Sequence, residues 1–123
     1  MSKIAKLLQQ AVEQHEAGKV AEAIALCEQA LQREPRNCLA LTLAALLEHG
    51  RGRHQQALNW AEAGLKAGPG NAEAWSTAGV ILQALERHAE AVDKFRQALR
   101  LNPGLPGVHA QLGIALHRLG RGT

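Results

Sequence analysis

Tyrosine is absent from this 123-residue chain, phenylalanine occurs once and tryptophan twice, so aromatic residues amount to 2%. Sheets fill their faces with aromatic and β-branched residues, and so thin a supply suits tightly packed helices instead. The aromatic platforms that stack single-stranded bases are missing too. No apolar run is long. The best, Cys38–Leu47, is about half of what a membrane helix needs, so no membrane partner is expected. The opening MSKIAKLLQQ turns to glutamine before a signal-peptide core could form. With no export signal and only two cysteines, the expected address is cytoplasmic. Cys27 and Cys38 read as free buried thiols, with a disulfide or redox-sensing pair as the alternative. Catalytic motifs are also missing: there is no nucleophile elbow, no phosphate-cradling glycine loop, and no Cys-x-x-Cys or His-Glu-x-x-His spacing. The chain is not expected to be an enzyme or to carry a cofactor or metal.

What is present keeps a fixed beat. Pro35, Pro69 and Pro103 stand 34 residues apart, as do Ala23, Ala57 and Ala91, and Leu31, Leu65 and Leu99. Ala30, Gly64 and Ala98 form another row, all small. Small residues at fixed phase let helices approach closely, and proline at fixed phase stops each one in the same place. Apolar residues at Ile4, Leu7, Leu8, Ala11 and Val12 recur with helical period, and Gly18 ends that helix. Further helices are expected near Val20–Arg33, Cys38–His49, His54–Ala67, Ala72–Ala84 and His88–Arg100. A last one over about Pro106–Leu119 would hold proline in its first turn. Asn37 and Asn71 are placed to cap helix starts. In the last helix Leu112, Leu116 and Leu119 are expected to pack inward, with Ile114 and Ala115 facing elsewhere.

This period and pattern resemble the tetratricopeptide repeat, a helix–turn–helix unit of 34 residues. With each proline at position 32, the units are Ile4–Asn37, Cys38–Asn71 and Ala72–Leu105, followed by a closing helix over 106–120. The third unit carries the pattern best, with Trp75, Ala78, Gly79, Ala91, Phe95, Ala98, Leu99 and Pro103 in phase. Position 11, usually a large packed residue, is instead Gln14 and Glu48 in the first two units, which points to looser cores there. The resemblance implies an all-α fold: a right-handed α-solenoid of stacked antiparallel pairs, about seven helices, forming a single domain over 1–123. Trp75 is expected in the core.

The resemblance also implies a concave groove lined by the first helix of each pair. Carried onto this chain, the groove is unusually apolar. Leu39, Leu43 and Leu46 form its middle, flanked by Leu8, Val12, Val80 and Ile114, with Thr42 and His49 as orienting hydrogen-bonding groups. Water disfavours such a patch, so either a ligand covers it or these leucines pack between helices. Chaperone adaptors of the family grip a C-terminal carboxylate with lysines, asparagines and an arginine, at positions that here read Leu8, Val12, Leu43, Glu73 and Thr77. An acidic chaperone tail is therefore not the expected ligand.

Two more rows follow the beat. His15, His49 and His117 share one position with Gln83, as plain polar lining or a pH-sensitive strip. Metal binding is disfavoured, because equivalent side chains on successive units lie too far apart. Lys19, Arg53, Arg87 and Arg121 recur in the turn between paired helices, a candidate basic edge that helps explain the net charge of +3. Trp60 either packs against its own turn or anchors a second partner.

The expected function is a non-enzymatic protein–protein interaction module or adaptor holding an apolar peptide or amphipathic helix, with Leu43 and Leu46 as anchors. The alternatives are a self-associating structural element, hence a homo-oligomer, and the recognition arm of a larger enzyme. Nucleic acid on the basic edge ranks behind both.

Overall fold

A computed structural model describes residues 2–121, with the side chain of Arg121 outside the description. Among the described residues there are seven helices and no strand: α1 Lys3–Glu16, α2 Val20–Arg33, α3 Cys38–Gly50, α4 His54–Ala67, α5 Ala72–Ala84, α6 His88–Leu101 and α7 Val108–Arg121. Each helix packs on the next, and α3 and α5 also touch, as do α5 and α7. The result is a right-handed solenoid of antiparallel pairs, α1–α2, α3–α4 and α5–α6, with α7 laid against the last pair.

The starts and stops follow from single side chains. Asn37 Oδ1 accepts the Ala40 amide at 2.9 Å and Asn71 Oδ1 accepts that of Ala74 at 3.3 Å, so both asparagines cap as expected. Ser2 does the same for α1. Pro35, Pro69 and Pro103 each follow a helix that ends two residues earlier. Within each pair the reversal uses a left-handed residue: Gly18 and Gly52, both at φ +80°, and then Glu86 at φ +60°. Glycine adopts that conformation freely and glutamate does not.

The phased small residues lie where the pairs interlock. Ala23, Ala57 and Ala91 are fully buried, as are Ala30 and Ala98. One cluster of buried residues spans α1 to α3 and another runs from α3 to α7. Trp60, half-buried on α4, packs against both and joins them.

Three expectations need correction. The last helix begins at Val108, and Pro106 and Gly107 form the turn before it, with Gly107 at φ +78°. Within that helix Ala115 is buried and Leu116 is 42% exposed, the reverse of what was expected. The inward stripe runs Val108, Leu112, Ala115, Leu119, buried at Val108 and Ala115 and half-buried at the two leucines, which is helical spacing, and Leu116 falls beside it. Trp75 is half-buried at the rim rather than in the core. Its indole N–H donates to the Pro69 carbonyl at 2.8 Å, and Lys94 Nζ lies 5.5 Å from the ring centroid. Glu48 is buried, with an Arg51 guanidinium nitrogen at 3.4 Å.

Candidate functional site

The first helix of each pair turns one face into a common cleft of about 390 Å³. From α1 come Leu8 and Val12, with Ala5 and Gln9 beside them. From α3 come Leu39, Leu43 and Leu46, and Thr42. Glu73, in the first turn of α5, completes the lining. Three of these apolar side chains remain open to solvent, Leu39 at 58%, Leu46 at 44% and Val12 at 41%. Leu8 is buried and Leu43 half-buried against the α1–α3 cluster. Burial of the flanking residues fixes the backbone, so the exposed leucines are held in place by helices rather than by loops.

The cleft does not gather every residue expected in the groove. Val80 is half-buried against the second core cluster and lies outside the lining, as does Ile114 farther along. Thr42 is 7% exposed. Its hydroxyl faces α4, where a Cβ on Gly64 would stand 3.2 Å from it, so it is poorly placed to orient a ligand. His49 also has a partner already. Its Nδ1 lies 3.1 Å from Nδ1 of His54 across the α3–α4 turn, with the rings tilted at 51°. One nitrogen must donate and the other must be bare, so the pair cannot keep this bond with both rings protonated. Burial, and then the charge of His54, push the His49 pKa below its ordinary value.

The next pair repeats the tie with different chemistry. Gln83 Oε1 and His88 Nδ1 stand 2.8 Å apart across the α5–α6 turn. Of the row His15, His49, Gln83 and His117, the two middle members thus each tie the paired helices together, a role that the sequence reading did not assign. The signal was in the sequence: both partners sit five residues apart across the turn, on the same beat. Among the described residues no group of three or more histidine, cysteine or acidic side chains could hold a metal.

Lys19, Arg53 and Arg87 are the residues preceding α2, α4 and α6, and all are exposed. Arg87 is committed to Glu90 through two hydrogen bonds, at 2.9 and 2.7 Å, and that contact holds the Glu90 carboxyl below its usual range. The Arg121 side chain lies outside the described residues. A hollow of about 800 Å³ opens beside α7, between Glu86, His88, Ile114, His117 and Arg118.

Family models for the tetratricopeptide repeat match residues 14–81 and 72–105. The chain belongs to the tetratricopeptide repeat family. No curated protein matches it by sequence. Among solved structures, the Sgt2 tetratricopeptide repeat domain from Aspergillus fumigatus is similar, with a TM-score of 0.95 at 21% identity, over 99% of this chain and 82% of that one. The first such domain of Spaghetti (RPAP3), bound to the HSP90 peptide SRMEEVD, gives 0.91 at 20% identity, over 96% and 94%. At these identities the likeness shows the fold alone. The O-GlcNAc transferase of Thermobaculum terrenum is 28% identical with a TM-score of 0.88, over 95% of this chain but 23% of that one. The tetratricopeptide repeat fold is generally a non-enzymatic protein-interaction module, and it also occurs within larger enzymes. No helix among the described residues is long and apolar enough to cross a membrane.

Proposed function

We propose that this chain is a non-enzymatic adaptor, a single domain of three repeats and a closing helix, that holds an apolar peptide or amphipathic helix in the α1–α3–α5 groove. One observation carries the reading: Leu39, Leu46 and Val12 line a single cleft while each stays more than 40% exposed. Water disfavours a fixed apolar strip of this kind, and a ligand helix would cover it with side chains at three- and four-residue spacing. Leu43 and Leu46 are the proposed anchors, joined by Leu39, the most exposed of the three. Polar groups of the ligand would meet Gln9 and Glu73, since Thr42 is buried and turned toward α4 and His49 is tied to His54. Two free thiols suit a reducing, cytoplasmic compartment. The basic edge is a subsidiary surface here, because Arg87 is already paired.

Affinity capture from lysate tests this, comparing the native chain with a folded Leu39→Asp/Leu46→Asp variant. Both positions are exposed, and Asp in the first turn of α3 is electrostatically favourable. Proteins held by the native chain and lost by the variant support the groove; equal capture by both would sink it.

A second reading is favoured by α7, where Ile114 and Leu116 are 46% and 42% exposed. Self-association through that face would appear as a mass that rises with concentration in sedimentation velocity. A constant monomer mass would remove it. The likeness to part of the O-GlcNAc transferase keeps a recognition arm of a larger enzyme as a variant of the main reading.

A further inference from the structure

The groove has a charge of its own. Glu73 is the one ionisable residue in the cleft lining; every other wall is hydrocarbon, an amide or a hydroxyl. Its carboxylate makes no hydrogen bond or ion pair among the described residues, whose two ion pairs, Arg51–Glu48 and Arg87–Glu90, lie elsewhere. Lys6, at the same end of α1, lines an adjoining hollow with Gln9, Gln10 and Glu13, of which only Gln9 is shared with the cleft. The first turn of α5 favours a negative charge at Glu73, because the free amides and the helix dipole point at it. A carboxylate beside leucines also attracts a cation more strongly than one in open water, since the hydrocarbon lowers the local dielectric. The opposite end of the same helices carries the exposed cations Lys19 and Arg53.

We propose that the groove selects a basic amphipathic helix of a protein partner, whose leucine-like face covers Leu39, Leu43 and Leu46 while a lysine or arginine pairs with Glu73. This rests on the groove reading above and adds the charge of the ligand. Repulsion between Glu73 and an acidic segment works against that segment, so charge here acts mainly as a filter on partners.

The test uses three fluorescein-labelled probes in anisotropy titrations. Two are helix-forming peptides with leucines at i, i+3, i+4 and i+7, identical except for a lysine or a glutamate flanking the stripe. The third is SRMEEVD. The native chain should bind the lysine probe about 5-fold tighter than the glutamate probe and leave SRMEEVD unbound. Glu73→Gln should bring the two helical probes together, and Glu73→Lys should reverse their order. Glu73 is exposed, so both variants should keep native helical circular dichroism.

Equal binding of the helical probes, lost in Leu39→Asp/Leu46→Asp, would overturn the charge filter and leave the groove standing. Tight binding of SRMEEVD would overturn it as well. Binding of neither helical probe, or binding untouched by the leucine variant, would overturn the groove reading itself. So would a dimer that the leucine variant dissolves, since a second copy would then occupy the cleft.

Discussion

A Cβ added to Gly79 of α5 would stand 2.5 Å from Cε1 of Phe95 on α6, and Phe95 is fully buried. The two helices meet where one has no side chain and the other has the chain's only phenylalanine. Gly79→Ala should therefore destabilise the fold by about 1–3 kcal/mol through overpacking, despite a helix-propensity gain of about 1 kcal/mol. Gly113 on α7 is the control, because nothing lies within 4 Å of its added Cβ. Urea midpoints should fall for Gly79→Ala and hold or rise for Gly113→Ala. Equal shifts would mean that the ring is not clamped.

Glu86 is the residue where the beat breaks. Its two counterparts, Gly18 and Gly52, take the same left-handed turn without a side chain. Glu86→Gly should relieve about 1 kcal/mol of backbone strain and raise the urea midpoint. A drop would show that the glutamate is held by contacts that outweigh its φ of +60°.

Stability should fall as pH drops, and His49 should cause part of that fall. Its folded pKa lies below the ordinary value, first through burial and then through His54. The unfolded chain therefore takes up a proton near pH 6.5 that the folded chain refuses, and the loss levels off below the folded pKa. His49→Gln copies the Gln83–His88 tie, whose Gln83 member does not titrate. The urea midpoint should drop less between about pH 7.5 and about pH 5.5 in that variant than in the native chain. An unchanged drop would remove His49 from the account.

The two thiols should react differently. Burial, aided by Glu28, pushes Cys27 up to about 11. Cys38 is half-buried, with its Sγ 3.4 Å from the Gly64 carbonyl. Iodoacetamide at about pH 8 should label Cys38 alone in the native chain and both thiols in urea. Comparable native labelling of Cys27 would contradict its burial.

Much of the architecture was legible because it depends on residues that repeat. The prolines and the caps at Asn37 and Asn71 each act within a few residues of themselves, and the alanine rows repeat one contact between helices, so phase alone placed the helices to within two residues. Leu116 and Ala115 exchange places relative to the expectation because the stripe facing α5 and α6 runs Val108, Leu112, Ala115, Leu119. The phase of Trp75 in the repeat points to the core, yet its indole N–H needs an acceptor and finds the Pro69 carbonyl at the rim. In the groove, sequence position named the leucines but not the state of the polar residues. The Thr42 hydroxyl is turned toward Gly64 of α4 and His49 is tied to His54 there, and only the packing of one helix on another shows that.

The central claim is that exposed leucines on α1 and α3 make a ligand site, and selection from a displayed random peptide library tests it most directly. The native chain and the Leu39→Asp/Leu46→Asp variant would be panned side by side. The account predicts peptides with apolar residues at helical spacing, enriched on the native chain and lost on the variant. Enrichment of the same peptides on both, or of sequences without such an apolar pattern, would contradict it.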